Sequence, residues 1–154
     1  MNEADRAAVL ASQNLFATLG ADDPQEWAAS EISEDIPQLA GFLALRRIWP
    51  DLINGWATPE ALEGIPAAAR LLADGADPTD LARVAQVAAY EKAFSLLHSL
   101  TAHGRDDDAP TDTPGWRLMK TTPSSELTGR AVQSLHESLL TMAPSRREGQ
   151  DIFG

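Results

Sequence analysis

The chain of 154 residues has no cysteine, only 12 basic residues and few aromatics, and each shortage removes a class of protein. Without Cys there is no disulfide scaffold, no thiolate nucleophile and no Cys-ligated zinc or iron–sulfur site. No apolar stretch approaches the ~20 residues that span a bilayer, and Met1 to Arg6 lack the basic-then-apolar order of a secretory leader. The expectation is a soluble, cytoplasmic protein. Phosphate-cradling loops need closely spaced glycines after a strand, whereas the 10 glycines here stand singly, mostly where helices should end. A Gly-x-Ser-x-Gly elbow, an HExxH helix and an EF-hand loop are all missing. So is the interleaving of bases and aromatics that grips single-stranded nucleic acid, because apart from Trp116 beside Arg117 the four Trp lie among acids and aliphatics. These gaps predict no cofactor, no nucleic-acid partner and no membrane partner.

What is present is acid and apolar surface. There are 23 acids, a net charge of −11, and 44% hydrophobic residues, in a chain long enough to bury a core unaided. The charge is unevenly spread. Through Asp77 the chain carries thirteen acids and four bases, a net of −9, and beyond it ten acids and eight bases, a net of −2. Asp22, Asp23, Glu26, Glu31, Glu34 and Asp35 follow one another with no base between them. Such a run reads either as carboxylates at helix starts, facing the positive end of the dipole, or as a docking face for a basic partner. The Ala-, Asp- and Arg-rich composition is of a bacterial type.

The apolar spacing predicts a mainly α fold, a single-domain bundle of about five to six helices. Asn2 caps a first helix whose Ala4, Ala8, Ala11, Leu15 and Leu19 recur at helical spacing, a small-residue stripe suited to close packing on a neighbour, and Gly20 stops it. Asp23 with Pro24 opens a short helix carrying Trp27, and Asp35 repeats the device before Pro37. From Leu39 to Trp56 comes the densest apolar stretch, which Pro50 should kink or divide. Thr58 with Pro59 starts another helix, interrupted at Gly64 and Pro66 and ended by Gly75. Asp77, Pro78, Thr79 and Asp80 open the longest pattern, with residues 79–102 as a central helix apolar on more than one face. Residues 104–115 read as a flexible loop, residues 116–130 as a short β-hairpin, or an irregular segment, before the last helix. That helix is marked by Val132, Leu135, Leu139 and Met142 and ended by Pro144. The domain is set at 1–143 and residues 144–154 form a tail, polar until Ile152 and Phe153, which need a groove to be ordered.

Three functional readings follow. The leading one is a non-enzymatic protein–protein interaction module that self-associates, most simply as a homodimer. Its support is the lack of catalytic motifs and the Trp-containing stretch from Phe42 to Trp56, where Arg46, Trp49 and Trp56 lie close together; Trp and Arg are favoured at interface centres, though the same residues also suit a core. The second is an acidic, immunity- or antitoxin-like neutraliser of a basic partner acting through Glu26, Glu31 and Glu34. The third is a small-molecule or metal-binding protein with a pocket around His98 and His136. Glu91 and His98, seven residues apart, fall nearly in line on one helix, and an antiparallel last helix would bring His136 to them as imidazole and carboxylate ligands or an acid–base pair. Against it, His98 and His136 read equally as helix-boundary residues making single hydrogen bonds.

Overall fold

The structure, a computed structural model, describes residues 3–102, Gly104 and residues 108–153. The fold class expected from the sequence is found. Among the described residues there are six α-helices, one of them long, and a two-stranded antiparallel hairpin before the last helix. The expectations placed on Asn2 and on part of the loop at 104–115 lie outside the described residues.

Helix α1 (Glu3–Thr18) closes at Gly20, whose φ of +86° lies where glycine is favoured. Helix α2 (Pro24–Ser33) begins with Pro24 in its first turn, but it is the main-chain carbonyl of Asp23, not its carboxylate, that accepts the N–H groups of Glu26 and Trp27. Asp35 is no cap at all: its φ is +54°, and its carboxylate lies 2.8 Å from Arg130 Nη2, close enough for an ion pair though not aligned as a hydrogen bond. Helix α3 (Gln38–Leu45) ends before Pro50 is reached, so the expected division falls at Arg46 and Arg47. Residues Ile48–Ile53 then form a widened helical turn, in which Asn54 N–H reaches back five residues to Trp49. Pro50 has no N–H to give to Arg46, and widening accommodates that loss without breaking the chain direction.

Two tight 3₁₀ turns, Asn54–Trp56 and Pro59–Leu62, lead to α4 (Pro66–Ala73). Among the described residues Asp77 is the one sequence-read cap that works through its side chain: Oδ1 accepts from the N–H groups of Thr79 (2.7 Å) and Asp80 (3.1 Å), opening α5 (Pro78–Ala102), 25 residues long. Strands β1 (Met119–Thr121) and β2 (Leu127–Ala131) pair Met119 with Ala131 and Thr121 with Leu127. Between those pairs β1 advances two residues and β2 four, a bulge that Gly129 permits at φ +78°. The last helix, α6 (Leu135–Thr141), starts later than its apolar spacing suggests. Arg130 belongs to β2, and Val132 donates to Leu118, extending the ladder instead of starting a helix.

The chain divides into two compact units, Met1–Ala44 with Ser99–Leu135 and Leu45–His98 with His136–Gly154. In the first, α1 packs on α2, and Phe16, Trp27 and Phe42 form an aromatic triangle with centroids 5.5–5.9 Å apart. Such pairs are worth ~0.5–1.5 kcal/mol each beyond the area they bury. Glu31 is buried in this unit; its carboxylate accepts from Lys120 Nζ (3.1 Å) and from the N–H of Leu39 (3.1 Å), tying α2 to β1 and to the start of α3.

In the second unit the core holds Leu45, Trp49, Ile53, Tyr90, Leu139 and Ile152. The indole N–H of Trp49 donates to the Leu139 carbonyl (2.8 Å), satisfying a buried donor across 90 residues of sequence. Leu62, Ala68 and Ala82 make a satellite cluster under Trp56. Of the two apolar C-terminal residues only Ile152 finds the groove it requires: it is buried, whereas Phe153 stays exposed although its ring meets Tyr90 edge-on at 5.7 Å. Gly149 makes this docking possible. A Cβ there would stand 3.2 Å from the rings of both Trp49 and Tyr90, and its φ is +75°.

Candidate functional site

The residues singled out in the sequence fall into different environments. Glu26 and Glu34 are exposed, whereas Glu31 is spent inside the first unit, so the acidic run does not present its carboxylates as one continuous face. Of the interface candidates near Pro50, Trp49 is buried, Trp56 is half-buried against Leu62, Ala68 and Ala82, and Arg46 is half-buried. Two of the three therefore serve packing within their own unit.

His98 and His136 do come together in the second unit. Their ring centroids are 4.7 Å apart at 79°, and Phe94 caps His136 from another side at 5.3 Å and 89°. Tyr90, Phe94 and His98 recur every four residues on α5, so one helical row carries the contact. Nδ1 of His136 is buried without a hydrogen-bond partner among the described residues, and its Nε2 lies 4.0 Å from the largely exposed carboxylate of Glu137. Glu91 is exposed. Its charge, with that of Glu148, adds to burial in pushing the Tyr90 hydroxyl above its ordinary range. Among the described residues no three His, Asp or Glu side chains gather as a metal site requires.

A second feature of this unit was not anticipated. A cavity of about 260 Å³ opens where the first turns of α5 face the Asn54 turn and the folded-back C-terminal residues, with Trp49, Asn54, Arg83, Gln86 and Asp151 in its lining. Gln86 occupies the core row of α5 between Ala82 and Tyr90, all three buried, where an aliphatic side chain would be the default. Its Nε2 donates to Asn54 Oδ1 (3.0 Å). Burying an amide without partners costs ~1–3 kcal/mol by mutational measures, which a single hydrogen bond only partly offsets. At the rim, Arg83 Nη1 donates to the main-chain carbonyl of Asp151 (2.8 Å). The Asp151 carboxylate accepts from Ser145 Oγ (2.7 Å), and this bond above all holds its carboxyl below the usual range, with Arg147 and Arg83 adding to the effect. Sequence reasoning missed these residues because they meet only after folding; the one available signal was a glutamine at a core position of α5.

The first unit offers a different surface. At about 100° per residue, Ala4, Ala8, Ala11 and Leu15 of α1 fall within an arc of about 60°, and all four are exposed. The side of α1 that is buried is the one bearing Phe16, which is fully covered. The small-residue stripe, suited to close packing on a neighbour, is therefore turned outward, and no described element of its own unit covers these four residues. No described helix is long and apolar enough to cross a membrane. The chain matches no family model, no curated protein and no solved structure.

Proposed function

We propose that this protein is an interaction module that pairs with a second copy of itself through α1. The observation that carries the reading is the outward stripe of Ala4, Ala8, Ala11 and Leu15 beside a helix side already satisfied by Phe16. The stripe is self-complementary. In an antiparallel pair centred between Ala8 and Ala11, Ala8 faces Ala11 of the other copy and the bulky Leu15 faces the small Ala4, as a two-fold interface requires. No charged side chain lies within the stripe, and alanines let helix axes approach to the short end of the usual 8–10 Å range.

The acidic-neutraliser reading draws less support, because Glu31 already has Lys120 and the Leu39 N–H as partners within the fold. The test is light scattering coupled to size exclusion at tens of micromolar. The parent should run as a dimer, and the double variant Ala8→Glu, Ala11→Glu as a folded monomer, since both sites are exposed and Glu is a good helix former. A parent that is strictly monomeric, or a dimer that survives the double substitution, rejects the proposal.

A further inference from the structure

We infer that the cavity of the second unit is a binding site for a small zwitterion of the size of a free α-amino acid. The inference is independent of self-association through α1, which belongs to the other unit.

Size is the first argument. Pockets for drug-sized ligands run from ~300 to 1,000 Å³, and about 260 Å³ falls just short of that range, which leaves room for a compact metabolite. Charge is the second. Arg83 and Asp151 both line the cavity and both are exposed, so the rim carries one charge of each sign. Arg83 gives one N–H to the Asp151 main chain. A guanidinium has five donors in a planar fork, and a carboxylate is the ligand group that matches them. An anion without a compensating cation would meet the Asp151 carboxylate, which its bond from Ser145 keeps ionised. A cation alone would meet Arg83. A molecule bearing both charges satisfies both residues.

The wall supplies the third argument. Gln86 and Asn54 bond to each other through one amide edge each, Nε2 to Oδ1. That orientation leaves Gln86 Oε1 as an acceptor and Asn54 Nδ2 as a donor, with no other hydrogen bond to either among the described residues. Beside them stands the Trp49 ring, whose N–H is already committed to Leu139, so it contributes an apolar surface. A part-buried polar pair next to an aromatic wall, with opposite charges at the mouth, is the arrangement of a site that orients a small polar molecule.

The experiment titrates the full-length protein with each proteinogenic L-α-amino acid in turn, by thermal shift and by calorimetry. At least one should raise Tm by about 5 °C at a hundredfold excess over its Kd, and the matching carboxylic acid without the amine, and amine without the carboxylate, should bind at least tenfold more weakly. Arg83→Ala and Asp151→Asn should each weaken the binding amino acid at least tenfold. Should Arg83→Ala disturb the fold by releasing the Asp151 carbonyl, Asp151→Asn still decides, because the asparagine keeps an acceptor for Ser145 and removes only the charge. The inference is overturned if no amino acid gives a shift or heat, if the singly charged analogues bind as well as the zwitterion, or if Asp151→Asn binds it undiminished.

Discussion

The two units treat their buried side-chain polar groups differently. The first buries a carboxylate and completes it: Glu31 has Lys120 on one oxygen and the Leu39 N–H on the other, although Arg130 Nη2 of the same unit is buried with only its ion pair to Asp35. The second covers neutral polar groups and leaves part of their capacity unused, in the part-buried Gln86–Asn54 pair beside an open cavity and in Nδ1 of His136, which has no hydrogen-bond partner among the described residues. A satisfied buried ion pair locks elements in register, while an incompletely satisfied neutral network leaves donors and acceptors for something else to meet. On this contrast, the interior of the first unit is structural and its outer helix face is available, whereas the interior of the second holds the available chemistry.

The largest test removes a hydrophobic anchor. Phe16 is fully buried and touches both Trp27 and Phe42. Phe16→Ala should cost ~3–5 kcal/mol in denaturant unfolding, with Trp27 as the fluorescent reporter of the first unit. A loss below about 0.5 kcal/mol, within the scatter of surface substitutions, would mean the aromatic triangle is not what holds α1 on α2.

A second comparison sets the buried charge against the buried amide. Glu31→Ala strands Lys120 and the Leu39 N–H together. Breaking a fully buried pair costs ~3–5 kcal/mol, but Lys120 is 26% exposed and recovers some hydration, so the expected loss is about 2–3 kcal/mol. Gln86→Leu should change stability by less than about 1 kcal/mol, because its partner Asn54 borders the cavity and can be hydrated there. Equal costs for the two substitutions would erase the distinction between a completed and an open polar interior.

How much of this was legible in the sequence depends on whether a signal was local. Helix α5 was legible because Asp77 and Pro78 mark its start and a long apolar pattern follows. The hairpin was legible from its break in helical spacing. The start of α6 was not, since Val132 sits at a spacing that suits helix and strand alike, and only its bond to Leu118 across the ladder decides. For α1, periodicity identified the Ala stripe but said nothing of what covers it; burial of Phe16, one position beyond Leu15, rotates the stripe into solvent. Helix geometry put Glu91 and His98 nearly in line but left open whether His136 would join them, because that depends on how the last helix packs; the two imidazoles meet and Glu91 stays exposed. The cavity draws on residues as far apart as Trp49 and Asp151, brought together by long-range packing that no spacing rule encodes.

The smallest effect concerns the C-terminal residues of the second unit and depends on pH. The Asp151 carboxyl is held below its usual value first by the Ser145 hydroxyl, while slight burial works the other way and its own main chain, Arg147 and Arg83 reinforce the lowering. A carboxyl more acidic in the folded than in the unfolded protein binds fewer protons when folded. Its contribution is therefore present above the unfolded value of about 3.9 and is lost as pH falls through the lower folded value. Because Asp151 is exposed, solvent screening keeps the effect small. Parent and Asp151→Asn should differ by a small gap in Tm at pH about 6, the parent melting higher, and the gap should shrink as pH falls below about 4. Asparagine retains the acceptor for Ser145, so the gap isolates the charge. The absence of any gap would show that Asp151 acts only through its main-chain carbonyl, the acceptor for Arg83 that the asparagine keeps, and that the charge at the cavity rim is not coupled to the folding of this segment.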